Sequence, residues 1–200
     1  METFITRGKS IYLMVNFYTY LELYLDDLSK KISLSEFEAY FKIPHQTIKN
    51  HLTQFTKFKI LTEEKKERFL YYSLNLKNPL TNEYLSLCEK ERLIKFLGQN
   101  TLFLRLYNEL AAYSRSNKML LFGSATKGKD YQDIDLLILS KNEDIKKTIN
   151  QFEETYSVKI HLTLTEEKYL RESFVIEIKK KHVILNEHDY FIRLLYKNEL

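Results

Sequence analysis

Ile11, Met14, Tyr18, Leu21, Leu25 and Leu28 recur at steps of three and four, and Leu13, Phe17, Tyr20 and Tyr24 form a second stripe. This spacing predicts a helix that is apolar over a wide arc. Such a helix either lies at the centre of its own core or packs one stripe on a second copy, so a homodimer stays open. Asn16, Thr19 and Glu22 interrupt the run and no small-residue cleavage site follows it, which favours a buried helix over a signal or membrane segment.

Ser33-Leu34-Ser35-Glu36 has the hydroxyl and carboxylate spacing of a capping box, and Leu34, Phe37 and Phe41 mark a short buried face behind it. A turn at Lys42-Ile43-Pro44 precedes a second helix that buries Ile48, Leu52 and Phe55. Gln46, Thr47, Lys49, Asn50, Thr53 and Gln54 point elsewhere. Phe58 to Leu61 and Phe69 to Leu76 are expected as strands joined by a charged loop, Glu63 to Arg68. Asn78-Pro79 opens a helical stretch to about Ser116, with a break near Gly98-Gln99-Asn100.

From Met119 the pattern changes. Met119 to Phe122, Ile134 to Leu139, Val158 to Leu164 and Val183 to Leu185 are short apolar strand runs; Lys141 to Tyr156 and Glu166 to Lys180 supply helices between them. The expected fold class is α+β: residues 1–78 as helices with a hairpin, 79–117 as a helical connector, and 118–200 as a small mixed sheet with covering helices.

At 200 residues, two small domains fit better than one large one, and 44% hydrophobic with 29% charged residues is a folding composition. A single cysteine, Cys88, leaves no pair for an internal disulfide or a cysteine zinc site, which points to a reducing compartment, the cytoplasm by default. The net charge of +4 permits nucleic-acid binding without demanding it.

The candidate chemistry lies where a strand ends at Phe122, Gly123-Ser124 makes a tight turn, and Asp133-Ile134-Asp135 enters the next apolar run. Residues i and i+2 of a strand share a face, so both carboxylates project together while Ile134, Leu136 and Ile138 go inward. Paired carboxylates are oxygen ligands for Mg²⁺ or Mn²⁺, which bridge nucleotide phosphates. Gly123 lets backbone approach a phosphate, Ser124 adds a hydroxyl and an amide at an expected helix start, and Lys127 and Lys129 add positive charge. Alone, Asp-x-Asp is common at strand edges and Gly-Ser means little; their spacing joins them.

Leu120-Leu121-Phe122-Gly123-Ser124-Ala125-Thr126-Lys127-Gly128 running into Asp133-Ile134-Asp135-Leu136-Leu137-Ile138 resembles the nucleotidyltransferase superfamily of DNA polymerase β, especially its minimal branch. The resemblance covers Met119 to about Phe191. It implies that Gly123 and Ser124 hold a nucleoside triphosphate, ATP first among them, and that Asp133 and Asp135 bind the metal. It also implies a third acid on a later strand. Here that strand reads Val158-Lys159-Ile160-His161-Leu162-Thr163-Leu164, and the inward position falls on His161. His161 is then either a metal ligand or a packed strand residue. Glu166 and Glu167 either reach in from the strand end or start the next helix in solvent.

Residues Ser33 to Leu76 follow the element order of winged-helix regulators and resemble them by that order rather than by a fixed motif. The resemblance places Gln46, Thr47, Lys49, Asn50 and Gln54 for major-groove contacts and Lys65, Lys66 and Arg68 for phosphates. The same fold also serves protein contacts alone. Residues 1–80 hold twelve Lys or Arg against nine Asp or Glu, an excess of three, thin for a tight DNA binder. Fusions of this kind resemble archaeal proteins whose relatives act as antitoxin or regulatory modules, some transferring AMP to a partner protein. Two functions are carried forward: a metal-dependent nucleotidyltransferase coupled to DNA binding, and a dimeric DNA-binding regulator with a nucleotide-sensing or inactive transferase domain.

Overall fold

The structure is a computed structural model that describes residues 17–197. The fold is mixed α+β with two small sheets. Its described residues form two compact units, one extending to Leu85 and the other beginning at Ser86, and each is built around its own core.

In the first unit Phe17–Tyr24 forms a 3-10 helix, so the expected α-helix is replaced over this stretch by a tighter winding. Residues 11–16 of that expected helix lie outside the described residues. Tyr20, Leu21, Tyr24 and Leu25 are fully buried, and the Tyr24 hydroxyl donates to the Tyr72 carbonyl at 2.8 Å. Packing on both sides, rather than α-helical preference, fixes this turn. Leu21, Leu25 and Leu28 of one stripe and Tyr20 and Tyr24 of the other are all buried within the chain. Tyr18 of the first stripe is only partly buried.

Strand β1 (Ile32–Ser33) leads into α1 (Leu34–Phe41), where Ser33 and Glu36 form the expected capping box. Lys42 adopts a left-handed conformation and its N–H donates to the Glu38 carbonyl at 2.9 Å, which ends α1 before α2 (His45–Lys57). Ile48, Leu52 and Phe55 are buried on α2 as expected.

The hairpin departs from expectation. Its strands are β2 (Leu61–Lys66) and β3 (Phe69–Leu74), so the charged run is strand and the turn shrinks to Glu67-Arg68. β2 is an edge strand in the order β1-β3-β2, and only Leu61 of it is buried. With both faces in water from Thr62 onward, no hydrophobic alternation marks it in the sequence.

Helix α3 (Pro79–Gln99) contains the boundary between the units. Asn78 prepares its start by accepting from the Leu80 N–H at 3.1 Å. Asn100 separates α3 from α4 (Thr101–Leu110), and its Nδ2 donates back to the Phe96 carbonyl at 2.7 Å.

The second unit carries β4 (Lys118–Phe122), β5 (Ile134–Leu139), α5 (Asp144–Tyr156), β6 (Ile160–Thr165), α6 (Glu172–Lys180), β7 (His182–Ile184) and α7 (His188–Leu195). The sheet order is β6-β5-β4-β7, with β5 and β6 parallel and the other pairs antiparallel. Leu121, Ile134, Leu136 and Ile138 from the sheet form one core with Phe103 and Leu106 of α4 and Ile145, Ile149 and Phe152 of α5. The expected helix over Glu166 to Lys180 is split: Glu167–Tyr169 is one 3-10 turn, and extended Arg171 precedes α6.

Candidate functional site

The site begins where β4 leaves the core. Gly123 has φ +73° and ψ −151°, backbone that side-chain-bearing residues rarely adopt. A Cβ at this position would overlap the Asp135 carboxylate, whose Cγ lies 3.3 Å from where it would sit. The Gly123 N–H donates to the Lys181 carbonyl at 3.2 Å, and Thr126 Oγ1 donates to the Gly123 carbonyl at 2.7 Å. Together these bonds fix the turn in its unusual conformation. Thr126 and Lys181 were invisible as supports in the sequence, because neither belongs to the Gly-Ser or Asp-x-Asp pattern.

Exposed Ser124 begins one 3-10 turn, Ser124–Lys127, rather than the expected helix. Gly128 stops that turn in the left-handed region, with its N–H on the Ala125 carbonyl at 2.9 Å. A turn this short carries little macrodipole, and the positive charge beside it comes from the exposed ammonium groups of Lys127 and Lys129.

Asp133 lies one residue before β5, not inside it, and Asp135 is its second residue. The side-chain alternation expected for the pair nevertheless holds: Ile134 and Leu136 are fully buried, while both acids are partly exposed. The parallel register then sets His161 opposite Asp135. His161 Nδ1 lies 3.3 Å from Asp133 Oδ2 and 3.5 Å from Asp135 Oδ1. One ligand atom from each of the three residues lies within 4.8 Å of the others. Two carboxylates and one imidazole, converging and open to solvent, fit a divalent cation that accepts nitrogen as well as oxygen.

Glu166 does not join this group. Its carboxylate pairs with Lys141 at 3.1 Å and Lys168 at 3.6 Å, and hydrogen bonding from Lys141 holds its pKa below the usual range. Glu167 is exposed on the following 3-10 turn.

Beside the turn lies a buried polar group with no sequence signature. His182 pairs with Phe122 across β4 and β7, and its Nε2 lies 3.2 Å from Oε1 of fully buried Glu89. Arg92 reaches the same oxygen at 3.2 Å. Burial alone would raise the Glu89 pKa, but the attraction of His182 and Arg92 prevails and holds it low. Burial pushes His188, at the start of α7, down to about 4. Glu89 Oε2 and His188 Nε2 are buried without a hydrogen-bond partner among the described residues. Glu89 and His182 stand 93 positions apart, so only the fold pairs them.

In the first unit Gln46, Thr47, Lys49, Asn50 and Gln54 are all exposed on α2, with Gln46 Nε2 donating to Asn50 Oδ1 at 2.9 Å. Lys65 and Lys66 sit on β2 rather than on a loop tip, and Lys66 approaches Glu64 at 3.5 Å; Arg68 occupies the turn itself. A surface cavity of about 250 Å³ is lined by Ser33, Leu34, Ser35, His45, Lys49, Arg68, Phe69 and Leu70, which joins the start of α2 to the hairpin.

No protein-family model matches the chain, and no curated protein matches it. No helix among the described residues is long and apolar enough to cross a membrane.

Proposed function

We propose that the second unit binds a nucleoside triphosphate beside a divalent cation and transfers its nucleoside monophosphate to a hydroxyl acceptor, and that the first unit is a winged helix that docks on DNA. The carrying observation is the register of β5 and β6, which gathers Asp133, Asp135 and His161 next to the Gly123 turn.

On this reading Gly123 lets the Asp135 carboxylate sit against the turn, and the Ser124 hydroxyl and turn amides donate to phosphate oxygens. Lys127 and Lys129 offset triphosphate charge from the same turn. Asp133, Asp135 and His161 hold the cation, which when bound neutralises charge on the phosphates. The protein contribution is mainly position and electrostatics. The acceptor class comprises protein side chains, small molecules and nucleic-acid ends. A partner protein that brings its own hydroxyl suits a solvent-open site at the strand ends. The lone buried Cys88 fits a cytoplasmic setting.

Isothermal titration with ATP and with GTP, with and without divalent cation, tests the reading on the wild type and on an Asp133→Asn, Asp135→Asn variant. Cation-dependent binding that the variant loses supports it; no binding of either nucleotide to the wild type overturns it.

A second reading is favoured by one observation: His161 stands where a third carboxylate would complete the negative charge of a transferase site. The chain is then a DNA-binding regulator, antitoxin-like in organisation, whose second unit senses nucleotide without transferring it. Pyrophosphate release from bound nucleotide separates the two, because only the transferase produces it.

A further inference from the structure

The donor set at the start of β5 and β6 differs from one built for Mg²⁺. We propose that Asp133, Asp135 and His161 form a site for a divalent transition-metal ion, Zn²⁺ or Mn²⁺, in preference to Mg²⁺. This rests on the reading of the cluster as a cation site and specifies the ion.

Three observations carry it. The first is donor chemistry: one of three converging ligands is an imidazole nitrogen, which suits zinc and its first-row neighbours, whereas Mg²⁺ prefers oxygen ligands and gives up its waters reluctantly. The second is spacing. His161 Nδ1 stands 3.3 Å from Asp133 Oδ2 and 3.5 Å from Asp135 Oδ1. Ligands of one ion with bonds of ~2.1 Å lie about 3.0–3.4 Å apart, so the imidazole nitrogen and each carboxylate oxygen are within reach of a shared ion. The third is access. The side chains are 30%, 25% and 49% exposed for Asp133, Asp135 and His161, so an ion can enter and keep an open position for water or a phosphate oxygen.

The register explains why the nitrogen is committed to this role. His161 is set opposite Asp135 by parallel pairing, and a one-residue slip of β6 would turn it to the other face of the sheet. Its position is therefore as well defined as that of the acids.

The test uses the full chain, stripped with chelator, without nucleotide, titrated calorimetrically with Zn²⁺, Mn²⁺ and Mg²⁺. Wild type, His161→Ala and His161→Asp are compared, and pulsed electron paramagnetic resonance of the Mn²⁺ form reads nitrogen coupling. Mn²⁺ binding at least tenfold tighter than Mg²⁺, and Zn²⁺ tighter still, is expected. His161→Ala should remove most of that preference and the nitrogen coupling, while His161→Asp should shift it toward Mg²⁺. Equal affinity for Mg²⁺ and Mn²⁺, or a preference unchanged in His161→Ala, overturns the proposal. Adding ATP to the metal-loaded protein separates it from the nucleotide reading. Selective metal binding without ATP binding keeps the ion assignment and defeats the function, whereas ATP binding supported by Mg²⁺ alone does the reverse.

Discussion

Gly123, the residue after β4, lies against the Asp135 carboxylate of β5, so a Cβ at position 123 would lie 3.3 Å from Asp135 Cγ and closer still to its oxygen. The same glycine holds a φ of +73°. Gly123→Ala therefore carries both strain and a clash. It should destabilise the second unit by about 1–3 kcal/mol and displace the Asp135 carboxylate. Urea denaturation reads the first effect. Calorimetric ATP titration reads the second, expected as at least a tenfold loss.

Gly128 presents a similar conflict with a softer neighbour. A Cβ there would lie 2.7 Å from Cγ of Asn100, a side chain whose Nδ2 bonds to the Phe96 carbonyl. Gly128→Ala should force Asn100 off that carbonyl and destabilise by about 1–3 kcal/mol. In an Asn100→Ala background the clash is gone and only the backbone strain remains, so the same substitution should cost less. Equal costs in the two backgrounds, measured as a double-mutant cycle, would refute the coupling.

Acid should weaken the second unit through Glu89 and His188. The folded pKa of Glu89 is depressed, so its contribution is present above the unfolded value of 4.5 and is lost as pH falls through the lower folded value. His188 falls from 6.5 to about 4, so between those values the unfolded chain takes up a proton that the folded chain refuses. Stability therefore drops as pH falls across that window, by about 3 kcal/mol for His188. Chemical denaturation at pH 7.5, 5.5, 4.5 and 3.5 measures it. His188→Leu should flatten the 6.5-to-4 portion, and Glu89→Ala should cost about 3–5 kcal/mol at neutral pH by removing the buried carboxylate that Arg92 and His182 both contact.

If the first unit docks on DNA, Lys65 on β2 and Arg68 at the hairpin turn supply phosphate contacts. Lys65→Ala and Arg68→Ala should each weaken binding to all duplexes alike and lower the slope of log affinity against log salt by about 1. Asn50→Ala should instead relax sequence preference, by about 1–3 kcal/mol at one base pair. Fluorescence anisotropy across a salt series distinguishes these patterns; unchanged slopes would remove both cations from the interface.

Local chemistry made much of this chain legible from its residues. The Ser33–Glu36 capping box, the Pro44 and Pro79 helix starts and the apolar runs of β4 and β5 depend on neighbours within a few positions, and the structure places those elements where the pattern does. The proximity of Asp133 and Asp135 was likewise legible, because alternation along a strand is fixed by backbone geometry. Strand β2 was not, since a charged edge strand exposed on both faces has no hydrophobic pattern and is held by its pairing with β3. The partnership of Glu89 with His182 and the register that sets His161 against Asp135 arise only when distant segments meet in one sheet or core. Periodicity tells which way a side chain faces along its own element; which side chain faces it from another element is decided by tertiary packing, through burial and strand register.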